Sequence, residues 1–386
     1  MLIELWDIAI VLLGAKIGGA IFTKLRQPSS IGEILAGLFI SYFITTISES
    51  LAVQVIANLG LIFLILLTVM SVDFGQAEKN IEKFIYSHII IILLTSIILF
   101  GIMKENTIIF LACIIGSSTS IALRSLISID AINSKEGQTI LGMQLINTVV
   151  EVILISLAMN IIATKSFNPE IAVKLALMMV GTFVVTSRVG YKMINFIFNN
   201  IQRFKMEEVL LAFTIIFAFA AAAFTEKIGL TSLIGIMLMG ILVSRTQQAL
   251  VISTKVRELS ESFFTPVFFA SLGFGATFLV DLNLLLIIFF SLLALRLVMF
   301  ILPVRLVGYS STEAVRIGSG FLPMSGYGLM LFGLGVKNLI FDQELYSVFV
   351  ISFILMNMIS PLLIKLSFKI RPIKRRVIIR HKKGFI

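Results

Sequence analysis

The chain has 386 residues, 58% of them hydrophobic and only 13% charged, with a formal net charge of +10 and a mean hydropathy of +1.07. A water-soluble domain of that composition could not solvate its own surface. The basic residues are spread over short loops, which argues against a nucleic-acid partner.

Apolar runs near or above the length of a bilayer crossing recur along nearly the whole chain. Short polar/apolar alternation of the β-barrel kind does not occur. The expected fold class is an all-α polytopic membrane protein of about thirteen transmembrane helices. They are placed at 3–23, 31–48, 51–72, 84–103, 107–124, 137–163, 170–199, 207–225, 228–246, 260–280, 282–308, 312–336 and 343–369. The first run, "MLIELWDIAIVLLGAKIGG", is preceded by Glu4 and Asp7 where a cleavable signal would carry Lys or Arg, so it reads as a span. Lys24, Arg26, Lys79, Lys83, Arg124, Lys135, Arg188, Arg203, Arg245, Arg257, Arg305 and Arg316 follow or border odd-numbered spans on one side. The positive-inside rule then puts the C-terminus in the cytoplasm and the N-terminus outside, in the cell membrane. The tail at 370–386 is basic and cytoplasmic, and a solvated flank.

The spans divide into six (1–163), a linker helix (170–199) and six (207–369). Each half carries one span interrupted by helix-weakening residues. In "CIIGSSTSIALRSL" (113–126) they are Gly116, Ser117, Ser118, Thr119 and Ser120. In "IGSGFLPMSGYGLMLFGLG" (317–335) they include Gly320, Pro323, Ser325 and Gly326. Interrupted spans at matching places in two halves point to inverted repeats with crossed broken helices. The hydroxyls are expected to satisfy some of the freed backbone groups.

Two ionisable residues lie deep in spans: Glu151 in 137–161 and Arg296 in 284–304. Burying either alone costs from about 3 kcal/mol upward. Two readings stand: a static Glu151–Arg296 ion pair, or a carboxylate that takes a cation or a proton with Arg296 competing for it. Glu33, Asp73, Asp281 and Glu313 sit at span ends or in loops, where capping or interfacial roles are expected. His88 reads as interfacial, His381 as solvated and the lone Cys113 as a small core residue. With two histidines and one cysteine, neither a metal site nor a cofactor is expected, and the hydroxyl clusters lack the partners a protease would need.

Several stretches resemble the cation:proton antiporter family 2, the Kef-type and NapA-type exchangers. They are "AKIGGAIFTKLRQPSSIGEILAGLFI" (15–40), "SSTSIAL" (117–123), "GLTSLIGIMLMGILVS" (229–244), "FFTPVFFASLGFGATF" (263–278), "GSGFLPMSGYGLMLFGLG" (318–335) and "ILMNMISPLLIK" (354–365). The likeness covers about residues 10–368. It implies the NhaA/NapA-like antiporter fold of thirteen spans, a core moving against a dimerisation domain, and a homodimer. The chain departs from the pattern at one place. Where that family has a polar–acidic pair whose Asp binds the ion, this chain has Asn147-Thr148. Glu151 follows three residues on, about 60° around the helix axis.

The expected function is electroneutral exchange of Na⁺ or K⁺ for a proton by alternating access. Glu151 would titrate, while Thr148, Asn147, Thr119 and Ser118 would offer neutral oxygens. Arg296 keeps its proton and so serves as the charge partner. A non-exchanging relative, such as a sensor or channel-like subunit, and a transporter of a different solute remain open alternatives, because position 148 is Thr.

Overall fold

In the computed structural model, the structure describes residues 2–70, 81–165, 181, 190–202 and 207–369. The linker expected at 170–199 falls mostly outside the described residues, as do Asp73 and the basic tail at 370–386 with His381.

Helices make up the described chain. In order they are α1 (Leu2–Lys24), α2 (Ser29–Phe43), α3 (Leu51–Met70), α4 (Ile81–Met103), α5 (Thr107–Ile115) and α6 (Thr119–Ser128). Then come α7 (Lys135–Thr164), α8 (Tyr191–Gln202), α9 (Glu207–Lys227), α10 (Ser232–Ser244) and α11 (Ala249–Leu259). The last five are α12 (Thr265–Gly273), α13 (Leu282–Leu306), α14 (Ser311–Ser319), α15 (Gly326–Lys337) and α16 (Gln343–Lys369). Among the described residues, seven helices are long and apolar enough to cross a membrane unaided. Exposed Ile97 and Phe100 on α4 and Ile287 and Phe290 on α13 are at home only in hydrocarbon. The chain is a multi-pass membrane protein.

Local chemistry sets the helix ends. Ser310 and Glu313 form a reciprocal capping box at the start of α14, Asp281 caps α13 through the Asn283 amide, and Ser134 accepts from Gly137 N–H at the start of α7. The capping expected of Asp281 and Glu313 is therefore present.

Four expected spans have different bounds. The second stops at Phe43, and a 3₁₀ turn occupies Thr45–Glu49. The fifth and twelfth are each split into two short helices, α5/α6 and α14/α15. The tenth, expected at 260–280, begins earlier and ends at Gly273. It continues α11 through a π turn at Ser260–Phe264 into α12, immediately before Pro266, which has no N–H to give the ladder.

By packing, the helices fall into two groups that cut across the sequence halves. One is α1, α2, α3 and α9 to α12; the other is α4 to α7 and α13 to α16. Backbone-to-backbone approach tightens the first group. A methyl on Gly32 would run into the Gly18 carbonyl, and one on Gly37 into the Ala270 carbonyl, so α2 lies directly on α1 and α12. The groups meet chiefly where α7 touches α10, α12 touches α15 and α2 touches α16.

Candidate functional site

The two interruptions cross inside the second group. The first spans residues 116–118, so Thr119 and Ser120 are helical; the second spans 320–325. Ser117 and Met324 form an antiparallel bridge, with Ser118 N–H donating to Pro323 O at 2.9 Å and Ser325 N–H to Gly116 O at 3.4 Å. Backbone groups freed at one break thus find the other break. The hydroxyls were expected to do this work and do not. Ser118 and Ser120 pair with each other, while Ser117 and Thr119 meet the Gln144 amide. A close approach holds the crossing shut, since a methyl on Gly328 in α15 would strike the Cys113 carbonyl in α5.

A short half-helix ends in unpaired carbonyls that carry partial negative charge, and begins in unpaired amides that carry partial positive charge. Arg296, fully buried on α13, answers the carbonyl ends of both breaks. Its guanidinium donates to Ile114 O and Gly116 O at the end of α5, and to Phe321 O and Pro323 O after α14. Phe300 lies under the guanidinium, 5.2 Å away. Three amide side chains complete the set. Asn147 donates to Ile115 O, Gln144 to Gly320 O, and Asn357 brackets Met324 by accepting from its N–H at 2.7 Å and donating to its carbonyl.

Glu151 stands at the amide ends. It is 1% exposed, on α7, and accepts a hydrogen bond from Ser325, the residue that precedes α15. Ser325 makes no side-chain cap to its own helix, so its hydroxyl serves the carboxylate. The Glu151 carboxylate lies against Gly116, where any Cβ would collide with it and with Ser325 Oγ. Glu151 and Arg296 flank Gly116. They form no direct ion pair, because the guanidinium is committed to four carbonyls and the carboxylate to Ser325. The direct Glu151–Arg296 contact that the ion-pair reading expected is absent. Gly116 separates the two charges, with its carbonyl toward Arg296 and its α-carbon toward Glu151. Gly116→Ala is expected to disrupt the crossing while leaving membrane insertion intact, checked by comparing the melting temperature with the yield of purified protein.

Glu151 lines a cavity of about 660 Å³ together with Thr148, Thr119, Ser118, Ser117 and Ser325. The cavity reaches the end of the bundle where Ser29 and Ser30 open α2 and where Arg124 and Arg257 lie. Thr148 donates its hydroxyl hydrogen to Gln144 O at 3.0 Å, which leaves an oxygen lone pair for the cavity. Asn147, expected among the ion's oxygens, is not on the cavity wall; it is fully buried and bound to Ile115 O. His88 is buried rather than interfacial, with Nδ1 2.8 Å from Phe84 O. Glu33 is also buried, and it is not a cap: α2 begins after Pro28 without a side-chain cap, and the carboxylate lines the same cavity. Cys113 is a buried core residue, as expected. Sequence reading passed over Gln144 and Asn357. Their signal was present, as carboxamides deep inside apolar spans need internal partners.

Two interrupted helices crossing in a membrane bundle, with buried charge at their opposed ends, define the architecture of a secondary transporter. The chain matches the family model "Sodium/hydrogen exchanger, transmembrane" over residues 9–368 and belongs to that family. It is 24% identical to the Na(+)/H(+)-K(+) antiporter GerN of Bacillus cereus, over 94% of this chain and 96% of that one. It is 23% identical to a Na(+)/H(+) antiporter of Enterococcus hirae, over 93% and 96%. Its fold matches the sodium proton antiporter MjNhaP1 from Methanocaldococcus jannaschii with a TM-score of 0.66 and 16% identity, covering 95% of this chain and 98% of that one.

Proposed function

We propose that the chain exchanges a monovalent cation, Na⁺ or K⁺, for a proton across the membrane, with Glu151 as the exchanging group. One observation carries the reading: a carboxylate 1% exposed, held by Ser325 at the crossing of two broken helices, on the wall of a cavity large enough for a hydrated ion. The family and the named antiporters it resembles support the same chemistry.

In this reading a cation arriving through the cavity displaces the proton on Glu151. The hydroxyl oxygens of Thr148, Thr119, Ser118 and Ser325 replace part of its water shell, the ligand type a hard cation prefers. Arg296 holds its charge throughout, because a guanidinium keeps its proton and this one anchors both carbonyl ends. One titrating carboxylate then carries either one proton or one cation, so exchange is 1:1 and electroneutral.

The two packing groups supply a means of alternating access. Each sequence half contributes three helices or more to each group, which supports inverted repeats at 1–163 and 207–369 joined by a linker at 170–199. Sliding one group past the other would close this cavity and open its counterpart. The open end carries Arg124 and Arg257, the side the positive-inside rule assigns to the cytoplasm, so the state described faces inward in the cell membrane. Exposed Leu5, Trp6, Leu13 and Ile17 on α1 offer the first group an apolar face for lipid or for the second copy of a homodimer.

The experiment is cation-driven proton movement in proteoliposomes. Na⁺ or K⁺ should dissipate an imposed ΔpH at a rate indifferent to a clamped membrane potential. A rate that follows the potential would refute the 1:1 stoichiometry, and no cation-dependent dissipation would refute exchange.

A further inference from the structure

We propose that Glu33 is a second, transient cation-binding carboxylate, the first stop of Na⁺ or K⁺ on the way to Glu151. This rests on the exchange reading above and adds a station to it. The Gly18–Gly32 contact brings α2 against α1 with no side chain between them, and the Glu33 carboxylate then lies over Gly19, with Oε1 3.0 Å from where a Cβ on that residue would be. There it is 6% exposed and lines the cavity that Glu151 lines. The two carboxylates stand on opposite packing groups: Glu33 on α2 of the first, Glu151 on α7 of the second.

The surroundings of Glu33 suit a mobile cation better than a fixed counter-ion. Among the described residues it makes no ion pair within 4.0 Å. The charged groups that face it are Lys16 on α1, Glu261 on the π turn and Arg124 on α6, and the Ser29 side chain lies on the same cavity wall. Lys16 is engaged elsewhere, donating to the Glu261 backbone carbonyl at 2.6 Å. A buried carboxylate with no cation in contact is only partly compensated by the more distant Lys16 and Arg124, and a monovalent cation in the cavity completes that compensation. Ser29 and Ser30 add hydroxyl oxygens at the same rim. A carboxylate here also shields an arriving cation from Lys16, Arg124 and Arg257, which would otherwise repel it at the cavity mouth.

The test is the cation dependence of exchange by full-length protein in proteoliposomes at fixed pH. Glu33→Gln should raise the apparent KM for Na⁺ and K⁺ roughly five- to tenfold while the maximal rate stays within about twofold, and Glu33→Asp should recover most of the affinity. An unchanged KM, or a lower maximal rate at unchanged KM, would overturn the proposal. Should Glu33→Gln fail to assemble, carbodiimide labelling in the Glu151→Gln background decides. The adduct on Glu33, mapped by mass spectrometry, should form more slowly in Na⁺ or K⁺ than in choline, and equal rates would overturn it. Wild-type protein that exchanges nothing would sink the exchange reading itself, an outcome separate from either result.

Discussion

Glu151→Gln should abolish cation-dependent proton movement, at any cation concentration, in protein that is otherwise intact. The substitution keeps the side chain's volume, and the amide oxygen can still accept from Ser325. It removes only the capacity to trade a proton for a cation. A neutral amide is also cheaper to hold at a position 1% exposed than a carboxylate is, so the melting temperature in detergent should be equal to or above that of the wild type. Thr148→Ala provides the contrast in the same assay. It deletes one of several neutral oxygens on the cavity wall and should weaken apparent affinity without ending exchange. Retained exchange in Glu151→Gln would remove the carrier from the account.

Arg296→Met should be strongly destabilising. Arg296 alone meets carbonyls from both breaks, four in total, and it does so with no exposure. Hydrogen bonds from a charged donor contribute about 1.5–3 kcal/mol each, and leaving buried acceptors unpaired costs about 1–3 kcal/mol apiece. Even with relaxation of the loops, a loss of at least ~3 kcal/mol is expected, seen as a fall of about 5–10 °C in melting temperature. Arg296→Lys should fall between. An ammonium restores the charge but is a point donor that cannot span the ends of α5 and α14 as a planar fork does. Thermal unfolding of the purified variants by tryptophan-independent dye binding gives the order wild type, Lys, Met. If Arg296→Met were as stable as the wild type, the clamp would not be what holds the crossing.

Much of this was legible in the sequence because it is local or compositional. Hydropathy alone places the chain in a bilayer. The interruptions in 113–126 and 317–335 show because Gly, Pro and Ser are conspicuous inside apolar runs. Glu151 and Arg296 show because charge inside a span is costly. What the sequence hid was partnership. Nothing at Ser117 or Met324 announces that each break is the other's hydrogen-bond partner, since that pairing links positions 207 residues apart. The same distance hides the division of labour between the two charges. Proximity in a span list suggests an ion pair, whereas the fold gives the arginine to carbonyl ends and the carboxylate to an amide end. Glu33 misled for a related reason. A span read as starting at 31 makes Glu33 a candidate cap, but α2 starts at Ser29, which sets Glu33 past the first turn, and the Gly18–Gly32 contact lays it along the cavity wall.

The central claim is that one carboxyl group alternates between a proton and a cation. Adding Na⁺ or K⁺ to purified protein in weakly buffered detergent solution tests it without reconstitution. The account predicts that the wild type releases about one proton per chain more than Glu151→Gln does. Equal release from both, or none from the wild type over the pH range in which it transports, would contradict it.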